Sequence, residues 1–218
     1  MQYRNNTSTV LIQNNLIRIS KPVTQSSSNR LLLMLHGWMG DENSMWVFSN
    51  AVPDDYWIFA PRAPFKMQKS GYGWIPENNV SEDSHPFEEA VELLSTNLIQ
   101  WTKFFKQDFS EINLMGFSQG GALSLLYSLL YPEKIHKIAC LSGFIPEGWN
   151  NMSISPANEA TKYFIAHGSN DDIVPIKKAY QTKQALECLG ANVEFCEAPV
   201  KHRISKNCYS KLENFFLD

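Results

Sequence analysis

Six short apolar runs alternate with longer stretches of helical spacing, and no other feature constrains the fold as strongly. The runs are LLLMLH (31–36), YWIFA (56–60), INLM (112–115), KIACLS (137–142), KYFIAH (162–167) and NVEFCE (192–197). Each has the length of a strand, and most are apolar at successive positions. Both faces must then be covered, as in a sheet clad with helices. Two further runs, TVLI (9–12) and LIRIS (16–20), flank Asn14-Asn15, which reads as a hairpin turn. That makes eight candidate strands.

Helical patterns fill the intervals. Phe87, Ala90, Val91, Leu94, Leu98, Trp101 and Phe105 define one apolar stripe. Asp83 or Ser84 suits the cap of that helix, Pro86 its first turn, and Glu88 and Glu89 its positive end. A second helix is expected from Ser118 to about Tyr131, stopped by Pro132. A third runs from Ile176 to Leu189, with Gly190 just past its end. A last helix carries Ile204, Cys208, Leu212, Phe215 and Phe216. The alternation predicts an α/β fold: a mostly parallel eight-stranded sheet flanked by helices, in a single domain over residues 1–218.

Composition excludes several classes of function. Nineteen Lys and Arg against 22 Asp and Glu leave a net charge of −3, without the concentrated basic surface that nucleic-acid binding needs. With 44% hydrophobic and 19% charged residues, the chain is too apolar to stay disordered. No window approaches the roughly 20 apolar residues that span a bilayer, so stable membrane insertion is not expected. The N-terminal MQYRNNTSTV lacks the apolar core of a signal peptide, which makes a cytoplasmic location the default. Four cysteines occur without a CxxC pair; Cys140 and Cys196 lie in strand-like runs and read as buried free thiols.

Segments 61–85 and 143–161 lack regular patterning. Both follow strands and so emerge at the carboxyl edge of the sheet, where open α/β folds bind ligands.

The chemistry centres on Gly116-Phe117-Ser118-Gln119-Gly120, a GxSxG pattern between the strand INLM and a helix. A sharp strand-to-helix turn strains the serine backbone and presents its hydroxyl above the sheet. Large side chains two positions away would collide, which explains Gly116 and Gly120. A serine hydroxyl is a weak nucleophile at neutral pH and needs a base, itself oriented by a third group. In this geometry the acid and then the base follow later strands. Of His36, His85, His136, His167 and His202, only the last two lie beyond strand 137–142, and His202 alone leaves room for an acid between. That acid falls in His167-Gly168-Ser169-Asn170-Asp171-Asp172, where two adjacent aspartates compete for the role.

Taken together, LHGWMGD (35–41), GFSQGGA (116–122), HGSNDDIVP (167–175) and KHRI (201–204) resemble the carboxylesterase, lysophospholipase and acyl-protein thioesterase branch of the α/β-hydrolases. The likeness extends from about residue 31 to residue 204. It implies Asp171 as the acid, three residues after the HisGly pair, giving a Ser118, His202, Asp171 triad. It implies an oxyanion hole from the backbone N–H groups of Trp38 and Gln119. It implies no metal or organic cofactor. Lys201 departs from the family, which usually has glycine before the histidine. Such a lysine reads as a tolerated loop residue or as a bias toward anionic substrates.

Only residues 143–161 separate the runs KIACLS (137–142) and KYFIAH (162–167), too few for a large cap domain. An open site is expected, with Trp38, Trp74 and Phe144 as candidate acyl contacts and loop 61–85 as an apolar wall. The expected substrate is a small ester or an acylated molecule with a short to medium acyl chain. Acyl-protein thioesterase or lysophospholipase activity is the alternative, and a catalytically silent binding module the non-enzymatic one. The chain is expected to act as a monomer or homodimer.

Overall fold

The computed structural model describes residues 7–23, 29–79, 84–152 and 160–217. Its strands are β1 (Thr7–Ile12), β2 (Asn15–Ser20), β3 (Arg30–Leu35), β4 (Tyr56–Pro61), β5 (Phe65–Lys66), β6 (Tyr72–Gly73), β7 (Glu111–Phe117), β8 (Ile135–Leu141), β9 (Lys162–Gly168) and β10 (Asn192–Ala198). Its helices are α1 (Ser84–Phe105), α2 (Gln119–Leu130), α3 (Ile176–Cys188) and α4 (Lys206–Leu217).

Eight strands form one sheet in the order β1-β2-β4-β3-β7-β8-β9-β10. The first two are joined antiparallel to the edge at β4, and every later pairing is parallel. The architecture is that of an α/β-hydrolase, and all eight strand-like runs of the sequence take part. The hairpin turn falls one residue earlier than the sequence suggests. Gln13 and Asn14 carry positive φ values of 46° and 69°, while Asn15 already pairs in β2. Two successive positive φ values match the twist of the flanking strands, and asparagine tolerates them.

Strand β3 shows why the sheet needs cover on both sides. Leu31, Leu33 and Leu35 point into one hydrophobic cluster, and Leu32 and Met34 into the other. Successive side chains of a strand face opposite ways, so a run without polar residues demands two cores. The first cluster takes Val91, Leu94 and Leu98 of α1, Leu123 and Leu126 of α2, and Leu186 of α3. The second takes Leu212, Phe215 and Phe216 of α4, with Met45 and Trp46 from a 3-10 segment at Ser44–Ala51. Helix α2 is buried along nearly its whole length, which matches its apolar sequence all round. Helix α3 ends in a Schellman arrangement: Gly190 has φ 85°, and the Gly190 and Ala191 N–H groups donate to the Glu187 and Leu186 carbonyls.

Two expectations change. Segment 61–85 contains order of its own, the small antiparallel ribbon β5–β6. Cys196 is no free thiol but is bonded to Cys208, with a Cα–Cα distance of 5.7 Å. That pair joins β10 to α4, a proximity that arises only when the last helix folds back over the sheet. Cys140 is free and fully buried, and burial pushes its thiol up to about 12. Asp83, the candidate cap of α1, lies outside the described residues, as do residues 80–82 of segment 61–85 and residues 153–159 of segment 143–161. Among the described residues no helix is long and apolar enough to cross a membrane.

Candidate active site

The parallel strands aim their carboxyl ends at one edge, and the motif residues gather there. Ser118 sits between β7 and α2 with φ 53° and ψ −116°, a conformation that non-glycine residues rarely adopt. Its N–H donates to the Leu141 carbonyl at 2.8 Å, and its own carbonyl accepts from Ala122 at 3.0 Å. The strained turn is thus fastened from both sides. Gly120 is required by close approach: a Cβ there would stand 2.1 Å from the Leu35 carbonyl oxygen. At Gly116 a Cβ would stand 2.0 Å from the Gly120 carbonyl oxygen. The two glycines let the elbow press against the end of β3.

His202, in the loop after β10, holds its Nδ1 at 2.7 Å from Oδ2 of Asp171. The Asp171 side chain is fully buried, and its other oxygen accepts the N–H groups of Ile173 and Val174, each at 2.9 Å. One oxygen is therefore anchored to backbone and the other is left for the imidazole. The neighbouring Asp172 faces solvent and accepts from Lys201 Nζ at 3.0 Å, which holds its carboxyl below the usual range. The structure thereby separates the two aspartates that chemistry alone left equivalent. His167 lies behind Asp171 with its side chain wholly buried. Its Nε2–H donates to the Val174 carbonyl at 2.8 Å, and burial lowers its pKa, so it stays neutral.

Ser118 and His202 line the same pocket, of about 560 Å³, together with Trp38, Met39, Met45, Phe48, Phe117 and Ile173. That volume falls in the range of small-molecule sites, roughly 300–1,000 Å³. Its wall differs from the one expected. Trp38 is present, but Trp74 and Phe144 do not line it. Trp74 is 4% exposed and works underneath: its indole N–H donates to the His36 carbonyl at 2.8 Å, and its backbone N–H donates to Oε1 of Gln119 at 2.9 Å. Phe144 packs edge-on against Phe87 in the core. Lys201 also lies off the pocket, in its exposed pair with Asp172. Such a pair contributes little to stability in water, and its partner offsets the lysine's charge.

The apolar wall comes instead from residues 38–48 and Ile173. Its missed members could have been found in the sequence at Met39, Met45 and Phe48, which follow the LHG motif directly. This segment is firmly held. Gly40 N–H donates to the Gly37 carbonyl at 3.1 Å, closing a turn with Met39 at φ 61°. Tyr72 of β6 donates its N–H to the Gly40 carbonyl at 2.8 Å. Buried Glu42 accepts a forked pair from Arg62 at 2.7 and 3.0 Å, and Arg62 also donates to the Tyr72 hydroxyl. His36 completes the frame. Its Nε2 accepts the Ala63 N–H at 3.0 Å while Nδ1–H donates to the Gly37 carbonyl at 2.7 Å. Both bonds need a neutral ring, consistent with burial lowering its pKa.

The backbone N–H of Trp38 belongs to this held turn, and that of Gln119 opens α2. The first N–H groups of a helix have no intrahelical acceptor and point outward. Among the described residues no cluster of His, Cys, Asp or Glu is arranged to hold a metal ion.

The chain is similar to known thioesterases and carboxylesterases. Acyl-protein thioesterase 1 of Debaryomyces hansenii is 29% identical over 219 aligned positions, covering 89% of this chain and 93% of that protein. Carboxylesterase SOBER1 of Arabidopsis thaliana is 26% identical, covering 84% and 88%. Among solved structures, the Bacillus cereus carboxylesterase superposes with a TM-score of 0.80 at 20% identity, covering 92% of each chain. The Mesorhizobium loti carboxylesterase superposes with a TM-score of 0.81 at 16% identity, covering 98% and 99%. The family model described as phospholipase/carboxylesterase matches residues 18–217, so the chain belongs to that family of α/β-hydrolase enzymes.

Proposed function

We propose that the protein hydrolyses carboxylic esters of short to medium acyl chain through Ser118, His202 and Asp171. One observation carries the reading: His202 is hydrogen-bonded to a buried carboxylate and shares an apolar pocket with the strained Ser118. Ser118 Oγ attacks the ester carbonyl carbon while His202 Nε2 takes its proton. Asp171 keeps Nδ1 protonated and stabilises the imidazolium. The charge on the tetrahedral intermediate rests on the N–H groups of Trp38 and Gln119, each contributing about 3 kcal/mol. His202 then protonates the leaving alkoxide, and water cleaves the acyl-enzyme by the same roles in reverse.

The pocket wall of Met, Phe, Trp and Ile side chains supports an acyl chain as the bound group. A thioester is the second reading, favoured by the name of the Debaryomyces relative and by an edge that carries no large cap among the described residues. Initial rates on p-nitrophenyl esters from acetate to palmitate, with a palmitoyl thioester and a lysophospholipid alongside, test both. Fastest turnover on the palmitoyl thioester would displace the ester reading. A Ser118→Ala variant that keeps near-normal turnover would displace the triad.

A further inference from the structure

We infer that the disulfide between Cys196 and Cys208 positions His202 for catalysis, a role that rests on the reading of His202 as the base. The two cysteines are separated by 12 residues in sequence, and His202 lies midway between them. Between β10 and α4 the chain forms neither strand nor helix. Upstream of His202 this loop is tied to the acid-bearing loop: Ser169 N–H donates to the Ala198 carbonyl at 2.8 Å, and Asn170 N–H to the Val200 carbonyl at 3.1 Å. Downstream, Ile204 packs against the core, and the first covalent tie is Cys208.

The disulfide closes the ring containing the histidine. One end is the strand β10, paired in parallel with β9, and the other is the first turn of α4, a helix whose later turns bury Leu212, Phe215 and Phe216. Both half-cystines are buried, at 2% and 1% exposure, so the link is a fixed staple. A base must hold its nitrogen within a few tenths of an ångström of the proton it takes, and small misplacements of such groups cost large factors in rate. Without the bond, α4 can slide relative to β10 and carry the downstream half of the loop with it. Asp171 is fixed by the backbone of Ile173 and Val174 and would not follow.

The test compares Cys196→Ala, Cys208→Ala and the double variant with wild type. Kinetics on p-nitrophenyl butyrate are read well below the unfolding temperature of each. All three variants are expected to lose kcat about tenfold or more, with KM within about twofold. Labelling of Ser118 by a fluorophosphonate should slow in the same proportion. The singles should match the double, because either substitution removes the whole bond; packing gaps would instead add. If the double variant does not fold, wild type is unfolded, reduced by a dithiol and refolded with and without reoxidation. The dithiol becomes its cyclic disulfide as the two cysteines become thiols, and the reduced form should show the same kcat loss. Unchanged kcat in the variants or the reduced enzyme overturns the inference, as does a wild type whose Cys196 and Cys208 both alkylate without reduction. His202→Ala separates the readings: if it stays active, the assignment of the base itself fails. If it is dead while the cysteine variants are fully active, only the staple fails.

Discussion

Replacing Asp171 by asparagine tests the assignment of the acid most directly. Oδ1 of Asp171 accepts two backbone N–H groups at 2.9 Å, and Oδ2 faces His202 Nδ1 at 2.7 Å. An asparagine amide must keep its carbonyl oxygen toward the backbone donors, because an NH₂ there would face two N–H groups. Its NH₂ then faces His202, which can accept only through an unprotonated Nδ1. The proton moves to Nε2, the nitrogen that must take the Ser118 proton. Geometry is preserved and the tautomer is wrong. A tautomer error of this kind costs on the order of 10⁴ in kcat, which is about 5.4 kcal/mol of activation free energy. Asp172→Asn removes only an exposed partner of Lys201 and is expected to change kcat less than about threefold. Steady-state kinetics on p-nitrophenyl butyrate at pH 7.5, with circular dichroism to confirm folding, reads both. A loss below tenfold in folded Asp171→Asn, or a larger loss in Asp172→Asn, would refute the reasoning.

Four further outcomes follow from the same contacts. Trp74→Phe leaves the His36 carbonyl without its buried donor, at a cost of about 1–3 kcal/mol; thermal unfolding should fall, with kcat lowered more than KM is raised. Gly120→Ala drives a methyl into the Leu35 carbonyl and is expected to destabilise by more than about 3 kcal/mol or yield no soluble protein, as read by denaturant titration. Lys201→Ala should change hydrolysis of neutral and anionic esters by the same factor, within about threefold, since its charge is already paired off the pocket; selective loss on anionic esters would show a steering role. Burial lowers the pKa values of His36 and His167, so the unfolded chain binds more protons below about pH 6.5. Stability from this source is complete above that pH and is lost as pH falls; His36→Gln should flatten the decline of the urea midpoint between pH 7 and 5.

The parts of the fold legible in the sequence were those encoded by local spacing. The run Leu31 to Leu35 has no polar position, so it announces a strand buried on both faces wherever its neighbours lie. Gly116 beside Ser118 likewise announces a tight turn, because a Cβ there would strike the Gly120 carbonyl four residues on, whereas the contact that Gly120 avoids, with the Leu35 carbonyl, comes from β3. The hairpin was legible to within one residue. Asn14 and Asn15 look alike as letters, and only the pairing of Asn15 with Ile12 shows which of them bends.

Side chains reaching across the molecule were not legible in the same way. Trp74 sits in a loop that emerges beside the site, and an aromatic residue there suggests a substrate wall. Its hydrogen bonds to His36 and Gln119 turn it inward as a strut. Met39, Met45 and Phe48 took the wall, because the segment after β3 folds over the serine while Arg62 and Tyr72 hold it there. The bond between Cys196 and Cys208 depends on α4 lying across β10, a distance that sequence separation does not encode. The sequence by itself thus determined the alternating elements, the turn at Ser118 and the order of the four site motifs, since each is written in neighbours along the chain. The tertiary structure decided which aspartate faces His202, which residues line the pocket and which cysteines pair. Those depend on how separate loops converge at one edge of the sheet, and convergence is set by the packing of the whole core.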